Sequence, residues 1–197
     1  MKTYQVITAA TTYPVSLTEA KSHLKVDTTA DDTYIESIIK AATQLSEEYT
    51  NRFFINTVIE QYASSFAELQ TLFKSKVSAV AHVKYYDSDN SLQTLSASVY
   101  DTQLNYEPSQ IQLADGQSFP SITKRNDAVL ARYTVGYGSA ASDVPEIIKQ
   151  AILLTIGNFY ENRNSVVIGR IATELPMNVK WLLDTYKVQI VGWQLAN

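Results

Sequence analysis

The sequence predicts an α+β fold, with N- and C-terminal helices packed as one helical body and a small antiparallel β lobe inserted between them. Three observations point there. Apolar residues recur at helical spacing near both ends of the chain, and from Thr57 to about Gly138 the pattern changes to short Val-, Ile-, Thr- and Tyr-rich runs broken by polar turns. The length of 197 residues with 45% hydrophobic content suits one compact domain or two small lobes. The predicted division is 1–56 plus 143–197 for the helical body and 57–142 for the β-rich lobe.

The first third reads as helical. Ser16-Leu17-Thr18-Glu19 is a capping box, in which the Ser hydroxyl takes a first-turn amide while the Glu side chain reaches back. It starts a short helix from about Leu17 to Lys25. After the polar break Asp27-Thr28-Thr29, a longer helix is expected from about Ala30 to Asn51. Ile35, Ile38, Ala42, Leu45 and Tyr49 form its apolar stripe, and Asp31 and Asp32 fall in its first turn, at the positive end of the helix dipole.

In the middle, Val77 to Tyr86 partly alternates and meets the turn cluster Asp87-Ser88-Asp89-Asn90-Ser91 before Leu92-Gln93-Thr94-Leu95, which predicts a hairpin. Val99-Tyr100, Ile111 to Leu113 and Ala128 to Val135 are further strands, with a turn at Asp115-Gly116. This spacing suggests a small sandwich or barrel. The last third returns to helix. Asp143-Val144-Pro145-Glu146 is a start signal for a helix to about Asn162, apolar through Ile148, Ile152, Leu153, Ile156, Phe159 and Tyr160. After a loop from Arg163 to Leu175, a second helix begins near Pro176 and carries Val179, Leu182, Leu183 and Tyr186 on one stripe.

Composition removes several function classes. Sixteen basic against twenty acidic residues give a formal charge of −4, with no basic stripe, which argues against a nucleic-acid binder held by phosphate neutralisation. Without cysteine there is no disulfide, zinc–thiolate site or thiol nucleophile. No signal-peptide h-region and no apolar run near the ~18 residues of a membrane span is visible. The chain is therefore expected to be made in the cytoplasm and to stay soluble, with no membrane partner.

The chemistry-bearing residues read as structural. His23 and His82 have no further ligand at helix or strand spacing. Asp31-Asp32 and Glu47-Glu48 are sequence neighbours that point about 100° apart on a helix, so neither pair forms a glycosidase-type arrangement. Gly136-Tyr137-Gly138 lacks the third glycine and immediate helix of a phosphate cradle, and no GxSxG occurs. No catalytic, cofactor or metal residue is assigned. The thirteen tyrosines stand out more. Tyrosine offers contact area at low entropy cost, and Tyr85, Tyr86, Tyr133 and Tyr137 in the β lobe are candidate contact residues. So are Val188, Ile190, Val191 and Trp193 in the apolar tail, a segment costly to leave in water.

The order of these segments resembles the tailed-phage head–tail connector (adaptor) family. The resembling pieces are Pro14-Val15-Ser16-Leu17-Thr18-Glu19-Ala20-Lys21 with His23 to Asp27, then Val83 to Asp87. Ala128-Val129 leading to Arg132 through Gly138, Val144 through Leu154 with Tyr160 to Arg163, and Glu174-Leu175-Pro176 continue the pattern in order. The tail beyond Tyr186 departs from it. The resemblance implies a non-enzymatic virion protein at the head–tail junction of a phage or prophage-derived particle. It implies a ring of copies matching the portal's twelve-fold symmetry, docked to the portal on one side and to a tail or stopper protein on the other. DNA would pass the bore without specific binding, and no cofactor would be needed. The rival reading is a carbohydrate- or protein-binding module using the Tyr-rich lobe.

Overall fold

The computed structural model describes residues 3–163 and 175–188. The fold is α+β, with a five-stranded antiparallel sheet and several helices. The chain divides into two compact units. One comprises residues 3–10, 51–137 and Val188, and the other residues 11–50, 138–163 and 175–187.

The first unit is built on strands β1 (Thr3–Thr8), β2 (Thr57–Ala63), β3 (Val77–Tyr86), β4 (Leu92–Thr94) and β7 (Val129–Val135), in the order β1-β2-β7-β3-β4. The short strands β5 (Tyr100–Gln103) and β6 (Gln110–Leu113) form a separate two-stranded ribbon. A single sheet with a ribbon thus replaces the expected sandwich or barrel. The opening strand β1 was not foreseen either, since its six residues are mostly exposed and carry no apolar alternation. It lies at the sheet edge, and its pairing with β2 loses register between Val6 and Thr8, which marks a bulge at Ile7.

Alternation sets the two faces of this sheet. Ile59, Ala63, Val77, Val83, Val129, Ala131, Tyr133 and Val135 point to one side and are buried there with Phe66, Leu69 and Leu72, from the single-turn helix α3 (Phe66–Leu69) and the segment after it. Phe119 stacks on Phe66 with ring centres 4.2 Å apart. The predicted β3–β4 hairpin forms. Its turn is held by the Asp87 carboxylate, which accepts from the amides of Asp89 and Ser91, and Asn90 takes the left-handed conformation at φ 58°. Strand β7 ends at Val135, just before Gly136, whose φ is 139°. A Cβ there would lie 2.7 Å from the backbone of Ile55 and Asn56, so glycine is required for the close approach.

The second unit holds α1 (Leu17–Leu24), α2 (Asp32–Thr50), α4 (Glu146–Glu161) and α5 (Met177–Asp184). The Ser16–Glu19 capping box forms as predicted, and Lys25 closes α1 in the left-handed conformation. In α2, Ile35, Ile38 and Ala42 are buried as expected. The buried face then continues through Ile39, Thr43, Ser46 and Thr50 rather than Leu45 and Tyr49. Each of these three hydroxyls donates to the carbonyl four residues earlier, at 2.8 Å, and so needs no outside partner when buried. Ile148, Ala151, Ile152, Thr155 and Ile156 of α4 are buried, and Ala151 meets Val179 and Leu183 of α5 with Leu175.

Candidate interaction surfaces

The sequence-predicted tyrosines fall in different environments. Tyr133 is fully buried in the sheet core. Its hydroxyl donates to Gln61 Oε1 at 2.6 Å and accepts from the Phe73 amide at 2.9 Å, and burial drives its phenol far above the ordinary range. It holds the core together and presents nothing to a partner. The signal that misled is shared: a residue on the apolar face of a β-strand reads the same whether it faces a core or a partner. Tyr85 is half-buried against Phe66, ring centres 6.0 Å apart. Tyr86 is half-buried under the Arg125 guanidinium, 3.7 Å from the ring centre, and Arg125 is in turn held by both oxygens of Asp127. Tyr137 is half-buried with the Arg52 guanidinium 5.9 Å from its ring. In the tail, Val188 is 7% exposed and buried, while Ile190, Val191 and Trp193 lie outside the described residues.

The face of the sheet opposite its apolar core carries a polar row set by register: Gln5 opposite Glu60, Glu60 opposite Arg132, Arg132 opposite His82. Arg132 Nε and the Tyr62 hydroxyl both donate to Glu60, at 2.9 and 2.7 Å. Burial pushes the Glu60 carboxyl up, but these hydrogen bonds and the Arg132 charge outweigh it and leave the group below its ordinary value. The bond to Glu60 pushes the Tyr62 phenol up to about 12. Burial, with Lys84 and Arg132 nearby, lowers His82, whose Nε2 is buried without a hydrogen-bond partner. This is a tethered network with its charges paired. Among the described residues, no group of three His, Asp or Glu side chains is placed to hold a metal ion.

The helical unit has two features that the sequence reading missed. Asp31, expected to serve the helix dipole, instead accepts from the Tyr160 hydroxyl at 2.6 Å and from both terminal nitrogens of Arg163. Arg163 also lies 4.4 Å from the ring centres of Tyr34 and Tyr160. These hydrogen bonds, Arg163's first, lower the Asp31 carboxyl. The second feature is the outer face of α5, where Met177 and Trp181 are 64% and 70% exposed. They stand one turn apart, opposite the buried Val179 and Leu183. That spacing was available in the sequence but lay off the predicted stripe. An open groove of about 470 Å³ lies between α1 and α4, lined by Val15, Leu153, Ser22, Lys149 and neighbours.

Residues 14–115, more than half of the chain, match the profile described as phage gp6-like head-tail connector protein. The chain belongs to this family. The match opens at the Pro14 to Lys21 segment that begins the resemblance. No curated protein matches this connector-family chain. Solved structures do. A chain from the neck of an empty gene transfer agent (GTA) particle, computed with C6 symmetry, superposes with a TM-score of 0.78 at 20% identity, covering 97% of this chain and 98% of that one. A chain from the virion of a native gene transfer agent particle gives 0.73 at 22% identity over 96% and 98%. One from the neck of a native GTA particle computed with C12 symmetry gives 0.72 at 20% over 97% and 98%. At these identities the likeness establishes a shared fold.

Proposed function

We propose that this connector-family chain is a structural, non-enzymatic subunit of the head–tail junction of a phage or phage-like particle, where copies form a ring between the portal and a tail or stopper protein. The observation that carries this reading is family membership together with a fold match extending over 97% of this chain to a neck component. The C6 and C12 symmetries stated for two neighbours' particles favour a ring, and twelve copies would match the portal. The helical unit would pack subunit on subunit, and the sheet unit would face outward or toward the tail. The segment from residue 189 onward would order on the portal. The subunit is made in the host cytoplasm and joins the virion on assembly. A net charge of −4 suits a bore that DNA crosses without sticking, since few phosphates would be neutralised.

The rival reading, a saccharide-binding sheet, would need an aromatic platform. Tyr133 is buried and Tyr86 lies under Arg125, which disfavours it. The deciding experiment adds gold-labelled full-length chain to portal-bearing heads and images the particles. Label confined to one vertex, in a ring beneath the portal, is the expected result. Random label, or specific binding on a glycan array, would defeat the proposal.

A further inference from the structure

We propose that the Met177–Trp181 face of α5 is a knob that seats in the α1–α4 groove of a second copy of this chain, a contact that rests on the ring reading above and assigns its two surfaces. The knob and the groove belong to the same unit, so both are present on every copy. They use different sides of α4. The groove lies along Glu146, Lys149, Gln150 and Leu153, whereas α5 packs against Ala151 and Leu154. Two unlike surfaces on one chain make a heterologous, head-to-tail contact, the kind that cyclic symmetry repeats, whereas a self-complementary patch would stop at a dimer.

Shape and charge agree. The groove has an apolar floor in Val15 and Leu153, and its 470 Å³ is enough for an indole with a thioether beside it. The Lys149 ammonium is held by Glu146 at 2.6 Å and its side chain is only 12% exposed, while Glu146 is 77% exposed and Glu19 also stands on the rim. The rim therefore presents carboxylates outward. On the knob, the indole N–H of Trp181 is a donor that a carboxylate accepts.

Area explains why the contact would form on assembly. Burying both side chains removes about 300 Å² from water, well short of the ~800 Å² per partner of a stable interface. A lone pair of subunits therefore dissociates, and a ring gathered on a template closes through many such contacts at once.

The absence of cysteine from the chain supplies the test. Full-length Met177→Cys and Ser22→Cys variants are treated with a short bismaleimide, alone and mixed, at high protein concentration. Both positions are exposed. A covalent dimer specific to the mixture, and a ladder from the double variant, are expected. Adding Trp181→Ala to the Met177→Cys chain should cut the dimer yield about tenfold, with circular dichroism unchanged. No mixture-specific dimer would overturn the proposal, as would a dimer from Met177→Cys alone, which would mean α5 faces pairing with one another. Rings seen by negative stain in a sample that fails to cross-link would overturn the knob and leave the ring reading standing.

Discussion

Arg52 and Glu107, 55 residues apart in sequence, are joined by two parallel hydrogen bonds, Nη1 to Oε1 at 3.0 Å and Nη2 to Oε2 at 2.5 Å. The arginine side chain is 5% exposed and the glutamate 46%. The pair is therefore unequal: removing the glutamate takes two hydrogen bonds from a buried cation, while removing the arginine frees a carboxylate that water can reach. Glu107→Ala is expected to cost about 2 kcal/mol, a buried-pair loss discounted for the exposed partner. Arg52→Met should cost less than Arg52→Ala, because the apolar stem is kept. Urea unfolding midpoints of the three variants check the order.

Acid should destabilise the protein in two pH windows. Burial holds His82 below its ordinary value, so the neutral ring favours the folded state, and stability is lost as pH falls below about 6.5. Glu107 is lowered chiefly by its bond from Arg52, and Glu19 by its bonds with Ser16, while Glu60 ends lowered by its donors despite burial. Carboxyls depressed in the fold add stability above the unfolded range near ~4 and lose it as pH drops through their folded values. Urea midpoints measured from pH 7 to 2 should decline in both windows. His82→Gln should flatten the upper one, and Arg52→Met should reduce the lower.

Tyr133→Phe removes a buried hydroxyl that joins Gln61 to the Phe73 amide, yet leaves the ring in place. The Phe73 amide keeps its 2.9 Å bond to Gln61 Oε1, so the expected loss is about 1 kcal/mol. Assembly on heads should be unaffected, since the side chain is fully buried. Equal thermal shift with lost attachment would mean that the core residue also serves a partner.

Gly136→Ala forces a Cβ into the backbone of Ile55 and Asn56 at a φ of 139°. The expected penalty is about 2–4 kcal/mol, larger than for an open left-handed position. Gly116→Ala makes the control: its φ is 71° with nothing within 4 Å of the added carbon, and only conformational strain applies. Differential scanning calorimetry on both variants separates steric from torsional cost.

Truncation after Val188 tests the portal contact. That residue is buried and is kept. Loss of residues 189–197 should leave the thermal transition in place and sharply reduce attachment to portal-bearing heads. Undiminished attachment would remove the tail from the docking scheme.

Local signals that close within a few residues were legible in the sequence. The Ser16–Glu19 box, the Asp87 turn with its hairpin, Pro145 before α4 and Pro176 before α5 all act through nearest neighbours, and each lies where expected. Signals that depend on distant partners were not. Strand β1 is defined by its pairing with β2, more than fifty residues on, and its own residues carry no alternation. Thr43, Ser46 and Thr50 lay off the predicted apolar stripe because a hydroxyl's polarity is visible in sequence while its bond to a carbonyl one turn back is not. Arg163 meets Asp31 across 132 residues, a pairing that no local pattern encodes.

The dislocation at Ile7 bears on what happens when many subunits are crowded together. An outermost strand with unbroken ladder groups can zip to its neighbour's and seed fibrils. Here the two-for-one step after Val6 leaves only a short straight stretch, too little to template an endless sheet. In the ring proposed above, this edge would favour side-chain recognition over backbone polymerisation.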